Sequence, residues 1–179
     1  METFVNKVAE SGLITLNLEA FLPKAMVAFD LKPFLFMELI LKEKDFRASL
    51  LTHDWKQYEG KSVYVTCTTD AIIPAWAYML VMSYLQPVTE NAIVSTEQEA
   101  SKNFMIEQIN QIDIEKYRGE RIVIKGCGEI LIPTEAYAAI TYKLRPIAKS
   151  IMYGEPCSTV PIFKQKNCQT LTLSKIFHE

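Results

Sequence analysis

A short block of alternating and β-branched residues, Ser62-Val63-Tyr64-Val65-Thr66, follows the turn-forming stretch Tyr58-Glu59-Gly60-Lys61. That order predicts a strand entered through a turn. Arg121-Ile122-Val123-Ile124-Lys125 repeats it after Tyr117-Arg118-Gly119. Beyond each strand a proline, Pro74 or Pro133, opens a segment rich in Ala, Leu, Met and Tyr. Proline in the first helical turn loses no hydrogen bond and presets φ, so two helices are predicted to start there. Pro87 and Pro146 mark their ends. Ala92-Ile93-Val94 predicts a further strand. After it, Ser95 with Gln98 and Thr96 with Glu99 form overlapping capping boxes ahead of a helix from about 97 to 110. Phe104, Ile106 and Ile109 are among its apolar positions.

Aligned with itself at an offset of 59 residues, the chain repeats. Asp54, Tyr58, Gly60, Asp70, Pro74, Ala77, Tyr78, Leu85 and Pro87 recur as Asp113, Tyr117, Gly119, Glu129, Pro133, Ala136, Tyr137, Leu144 and Pro146. The same offset carries the 97–110 helix back onto 42–51, where Phe46, Leu50 and Leu51 fit a helix after a predicted strand at 36–41. It carries Ala92-Ile93-Val94 forward onto Ile151-Met152-Tyr153, a fifth strand closed by Gly154. The internal repeat thus spans about 36–87 and 92–146. Upstream, 13–17 and 26–31 read as short strands, either a hairpin or an edge addition. Downstream, 170–176 alternates and is either a late edge strand or a frayed end, making 165–179 peripheral.

Alternating strands and helices predict an α/β fold: a mainly parallel sheet with flanking helices, built from two similar β-α-β-α halves with short terminal strand additions. At 179 residues one domain, 1–179, is expected. Strand order is not legible. The net charge of −2 gives no basic footprint, so nucleic acid is not an expected partner. The longest apolar run, 71–82, is broken by Pro74 and is too short to span a bilayer. The first residues lack a basic segment followed by an apolar one, so a cytoplasmic, membrane-free protein is expected.

In a reducing compartment the four cysteines are expected as thiols or ligands rather than disulfides. Cys67 and Cys127 fall one register step apart at the same point of the two repeats, and Cys157 follows the fifth strand. On a single parallel sheet all three would emerge at the carboxyl edge, where open α/β folds place ligands. The first two also precede helices, whose positive ends favour a thiolate. Asp70, Glu129 and Glu155 are auxiliary candidates, and zinc or an iron–sulfur cluster is the cofactor class that three sulfurs and one further ligand would suit. Against this, no Cys-x-x-Cys pair is present, buried free cysteine is common, and Asp70 and Glu129 also fit simple helix N-terminal anions. His53 is expected near the opposite edge, which leaves no base for a Cys-His pair. Cys168 reads as exposed and incidental.

Two long segments carry a family resemblance: Cys67-Thr-Thr-Asp-Ala-Ile-Ile-Pro-Ala-Trp-Ala-Tyr-Met-Leu80 and Ser150-Ile-Met-Tyr-Gly-Glu-Pro-Cys-Ser-Thr-Val-Pro161. With 39–47 and 123–127, they resemble an uncharacterised Bacteroidetes family, the domain of unknown function numbered 2480, over about residues 5–164. The resemblance implies no activity and no catalytic residues. It does imply a genomic setting near sulfur-mobilising iron–sulfur assembly systems, hence iron–sulfur assembly proteins as partners and Cys67, Cys127 and Cys157 as the residues to watch.

Three functional classes remain open. One is an accessory thiol or metal-binding protein linked to iron–sulfur cluster assembly. Another is a non-enzymatic protein-binding or scaffold domain with buried structural cysteines. The third is a thiol-dependent enzyme, with no catalytic residue identified. The apolar alternation at 171–177 adds an expected homodimer, because an exposed strand edge or apolar segment invites a second copy.

Overall fold

Pro74 and Pro133 each precede a helix, Ala75–Leu85 and Thr134–Leu144. The computed structural model describes residues 12–126, 128, 130–155 and 158–166. Among them, strands form at β1 (Leu13–Asn17), β2 (Met26–Asp30), β3 (Ser62–Thr66), β4 (Asn91–Val94), β5 (Arg121–Lys125), β6 (Ser150–Glu155) and β7 (Ser158–Lys164). The α-helices are α1 (Glu43–Thr52), α2 (Ala75–Leu85), α3 (Glu97–Gln111) and α4 (Thr134–Leu144). The fold is α/β with mainly parallel pairing. The parallel strands are divided between two sheets, ordered β1-β5-β6-β7 and β2-β3-β4. Among the described strands only β6 and β7 pair antiparallel.

The chain divides into two compact units. The first contains the four-stranded sheet; the second contains the three-stranded sheet with α1, α2 and α3. The predicted repeat reappears inside them at the predicted offset. Ser62 pairs with Asn91 and Val63 with Ala92 in one sheet, Arg121 with Ser150 and Ile122 with Ile151 in the other. The Gly60 N–H donates to the Val88 carbonyl at 3.2 Å, and the Gly119 N–H to the Ile147 carbonyl at 2.9 Å. Both glycines have positive φ, 65° and 73°, a backbone state that glycine adopts without a side-chain clash. Asp54 accepts from the Lys56 N–H as Asp113 does from that of Glu115, each closing the turn before its strand.

The buried faces match as well. Along α2 the fully buried residues are Ala77, Val81 and Leu85; along α4 they are Ala136, Ile140 and Leu144. A spacing of i, i+4, i+8 puts each set on one helix face. Val63 and Val65 on β3, and Ile122 and Ile124 on β5, supply equivalent buried strand positions. In the second unit the core joins Val63, Val65, Ala77, Val81 and Leu85 to Phe29, Leu31, Phe46, Leu50 and Tyr58. Phe29 stacks with Phe34 and Trp55 at 5.5 Å, and Trp55 stacks in turn on Tyr84 at 4.9 Å. Of the two capping boxes, Thr96 caps α3, accepting from the Glu99 N–H at 3.4 Å.

Two local expectations change. The apolar run at 36–41 is no strand. It folds into a tight turn closed by a Phe36–Ile40 bridge, and β2 takes the place beside β3. Of the two alternatives for 13–17 and 26–31, the edge addition holds: β1 and β2 are parallel edge strands, of β5 and β3 respectively. The strand predicted to close at Gly154 runs on to Glu155, and 158–164 forms a further strand, β7. Pro161 lacks an N–H but fits there because β7 is an edge strand whose register with β6 shifts between Ile151 and Met152. Gly154 lies inside β6 at φ 118°, where a Cβ would stand 2.6 Å from the Ser158 carbonyl oxygen. The alternating stretch 170–176 lies outside the described residues.

Candidate functional site

β2 and β3 are parallel, so their carboxyl ends and the loops that leave them share one edge of the three-stranded sheet. Asp30, the last residue of β2, ties those loops together. Its carboxylate accepts the N–H groups of Lys32 and Thr68, both at 3.0 Å, and the Thr68 hydroxyl. Burial pushes its pKa up, but the Thr68 hydroxyl, the two N–H groups and the Lys32 charge outweigh this and hold it below the usual carboxylate value. The adjacent N–H of Leu31 donates to the Thr66 carbonyl at 2.8 Å. The strand ends are thus pinned before the chain turns outward.

What they carry outward is apolar. After β2, the turn residues Met37 and Glu38 take φ values of 53° and 58°, a left-handed conformation that costs non-glycine residues about 1 kcal/mol or more each. Phe36 accepts from the Leu39 and Ile40 N–H groups, at 3.2 and 3.1 Å. Lys42 places its ammonium 3.2 Å from the Phe36 ring centroid, and Lys32 pairs with Glu38 at 3.4 Å. The turn so held exposes Met37 by 76%, Leu39 by 61% and Ile40 by 59%. After β3, Ile72 is 93% exposed. Leu39, Ile40 and Leu41 line a cleft of about 430 Å³ with Asp70, Ile72 and Pro74. In the first unit, the repeat equivalent of Ile72, Leu131, is likewise 93% exposed.

Cys67 follows β3 at this edge, half-buried and packed against the second unit's core. Burial, with a contribution from Cys67, raises the Tyr78 phenol pKa. Cys127, Glu129 and Cys157 lie outside the described residues. The strands they follow, β5 and β6, belong to the first unit's sheet rather than that of β3, so the shared-edge expectation reduces to that pair. Glu155, at the end of β6, pairs with Lys125 at 3.0 Å. Asp70 is exposed on the cleft. Among the described residues no three His, Cys, Asp or Glu side chains gather closely enough to hold a metal ion.

His53 packs among the rings of Phe29, Phe34, Trp55 and Tyr58, with Nε2 3.1 Å from the Tyr58 hydroxyl and 3.3 Å from Gln57 Nε2. Burial lowers its pKa, against a smaller opposing effect of Asp54. This is a histidine satisfied within an aromatic core.

The exposed turn was missed in the sequence because eight residues, 34–41, are apolar at every position but one and mimic a buried strand. A usable signal was present in the repeat: Ile72-Ile73-Pro74 and Leu131-Ile132-Pro133 each set two aliphatic residues before a helix-opening proline. Among the described residues no helix is long and apolar enough to cross a membrane.

No curated protein and no solved structure matches the chain. A family model described as "Protein of unknown function (DUF2480)" matches residues 2–165, nearly the whole sequence, and the chain belongs to that family.

Proposed function

We propose that this protein is a non-enzymatic binding domain that receives an apolar segment of a protein partner at the carboxyl edge of the three-stranded sheet. The observation that carries this reading is the set of exposed apolar side chains, Met37, Leu39, Ile40 and Ile72, presented on a strained turn and a pinned loop. Water-exposed aliphatic groups gathered around a cleft are a feature of interaction surfaces, whereas singly scattered ones need no explanation. A cleft of about 430 Å³ accommodates one or two anchoring side chains. On this reading Cys67 is a packing residue, consistent with its place against the core.

The test begins with whatever co-purifies with the full-length chain from its native host. That protein is then made separately and titrated back. Ile72→Asp and Leu39→Asp should each weaken the reconstituted complex at least tenfold while leaving the thermal melt unchanged. Undiminished affinity in both variants rejects the surface.

A second reading keeps a thiol site at Cys67, Cys127 and Cys157, with Asp70, Glu129 and Glu155 as auxiliaries, holding zinc or an iron–sulfur intermediate for cluster assembly. Its support is the position of Cys67 directly after a parallel strand, at the edge where α/β folds hold ligands. Metal analysis of anaerobically purified protein, with each cysteine changed in turn to Ser, decides it. Zinc or iron lost in every variant supports the site; metal-free wild-type protein rejects it.

A further inference from the structure

The first unit carries a different feature, independent of the apolar edge just described. Leu13, Arg121, Ser150 and Lys164 form one row across β1, β5, β6 and β7. All four line a cleft of about 850 Å³ at the end of the sheet where β1, β5 and β6 begin. Side chains two residues apart on a strand share a face. Met152, two residues beyond Ser150, therefore lies on the same face, and its partner Pro161 lines the cleft with it. The floor is apolar, with Phe163 completing it.

The rim is cationic. Arg121, Lys149, Lys164 and Lys166 all line the cleft, and among the described residues no Asp or Glu does. Arg145 adds a fifth positive charge, its guanidinium 3.9 Å from the Phe163 ring centroid. Among the described residues Lys149, Lys164 and Lys166 pair with no carboxylate. In a chain of net charge −2, these three lysines around an apolar floor, with no carboxylate partner among the described residues, are a local concentration of positive potential. The volume lies within the range of small-ligand sites, roughly 300–1,000 Å³.

We infer that this cleft binds an amphiphilic anion, its apolar body against Leu13, Met152, Pro161 and Phe163 and its anionic head among Lys149, Lys164 and Lys166. Neither half of the site suffices alone. Exposed ion pairs contribute little by themselves, and an open apolar floor does not discriminate between ligands. Together they select a molecule that is apolar at one end and anionic at the other.

Calorimetric titration of the full-length protein with dodecanoate, kept below micelle formation, tests the inference. Saturable one-to-one binding is expected. A neutral maltoside with the same alkyl chain should bind at least tenfold more weakly, and acetate should give no saturable heat. The double variant Lys149→Glu/Lys164→Glu should lose at least tenfold in affinity for dodecanoate, with an unchanged circular dichroism spectrum because both side chains are exposed. Ile72→Asp, on the other unit's surface, should bind as wild type does. Absence of saturable binding by the full-length chain overturns the inference. So does equal affinity for the neutral amphiphile, undiminished binding by the double lysine variant, or loss of binding on Ile72→Asp. The Ile72 arm also separates this cleft from the proposed partner surface, since each is expected to survive the other's substitution.

Discussion

Asp30 accepts hydrogen bonds from residues 2 and 38 positions further along the chain, which makes one short carboxylate the clasp of two loops. Replacing it by Ala leaves the Lys32 and Thr68 N–H groups without that acceptor, and Asp30→Ala should destabilise the fold by about 1–3 kcal/mol in urea denaturation. The pH dependence has a definite sign. A carboxylate whose folded pKa lies below 3.8 contributes stability that is complete above 3.8 and is lost as pH falls through the folded value. His53 behaves in the same direction at higher pH. Its folded pKa is below 6.5, so its contribution is full above 6.5 and declines as pH falls toward the folded value and the half-buried ring must take up a proton. His53→Gln should flatten the stability profile just below pH 6.5 and leave the acid limb below 3.8 in place. A slope unchanged by the substitution would assign it to another group.

At the scale of elements, the two repeats make a quantitative prediction. Leu85 ends α2 and Leu144 ends α4 at equivalent positions, and both side chains are fully buried. Removing a buried leucine side chain costs its transfer free energy plus the cavity left behind, about 2–5 kcal/mol. Leu85→Ala and Leu144→Ala should therefore both fall in that range by urea denaturation. Leu51→Ala, at a position 74% exposed on α1, should change stability by less than about 0.5 kcal/mol. A small effect at either buried leucine would mean that the shared spacing does not reflect shared packing.

For the whole molecule, the open question is association. β7 pairs only with β6, so it leaves an outer edge unpaired among the described residues, and unpaired edges invite further strands. The alternating stretch 171–177 lies outside the described residues. We propose it as the contact of a homodimer. Light scattering on the full-length chain and on a chain ending at Lys166 provides the test. Dimer for the first and monomer for the second is expected, and monomer for both would remove the dimer.

The repeat, the helix-opening prolines and the turn glycines were legible in the residues alone, because each rests on backbone preferences or spacing that operate over a few neighbours. The α/β class followed from the alternation of those elements. Tertiary structure alone decided that β3 and β5 lie in different sheets. Strand pairing joins positions far apart in sequence, and β1 and β2 complete sheets whose central strands lie much further along the chain. It also decided the fate of two segments. The run at 36–41 has the composition of a buried strand but bends outward on two left-handed residues, while the proline-bearing stretch at 158–164 becomes a strand because an edge requires fewer N–H donors. The candidate sites were least legible for the same reason. Whether Ile72 is covered, or whether Arg121, Lys149 and Lys164 gather around one cleft, depends on what packs beside them in three dimensions.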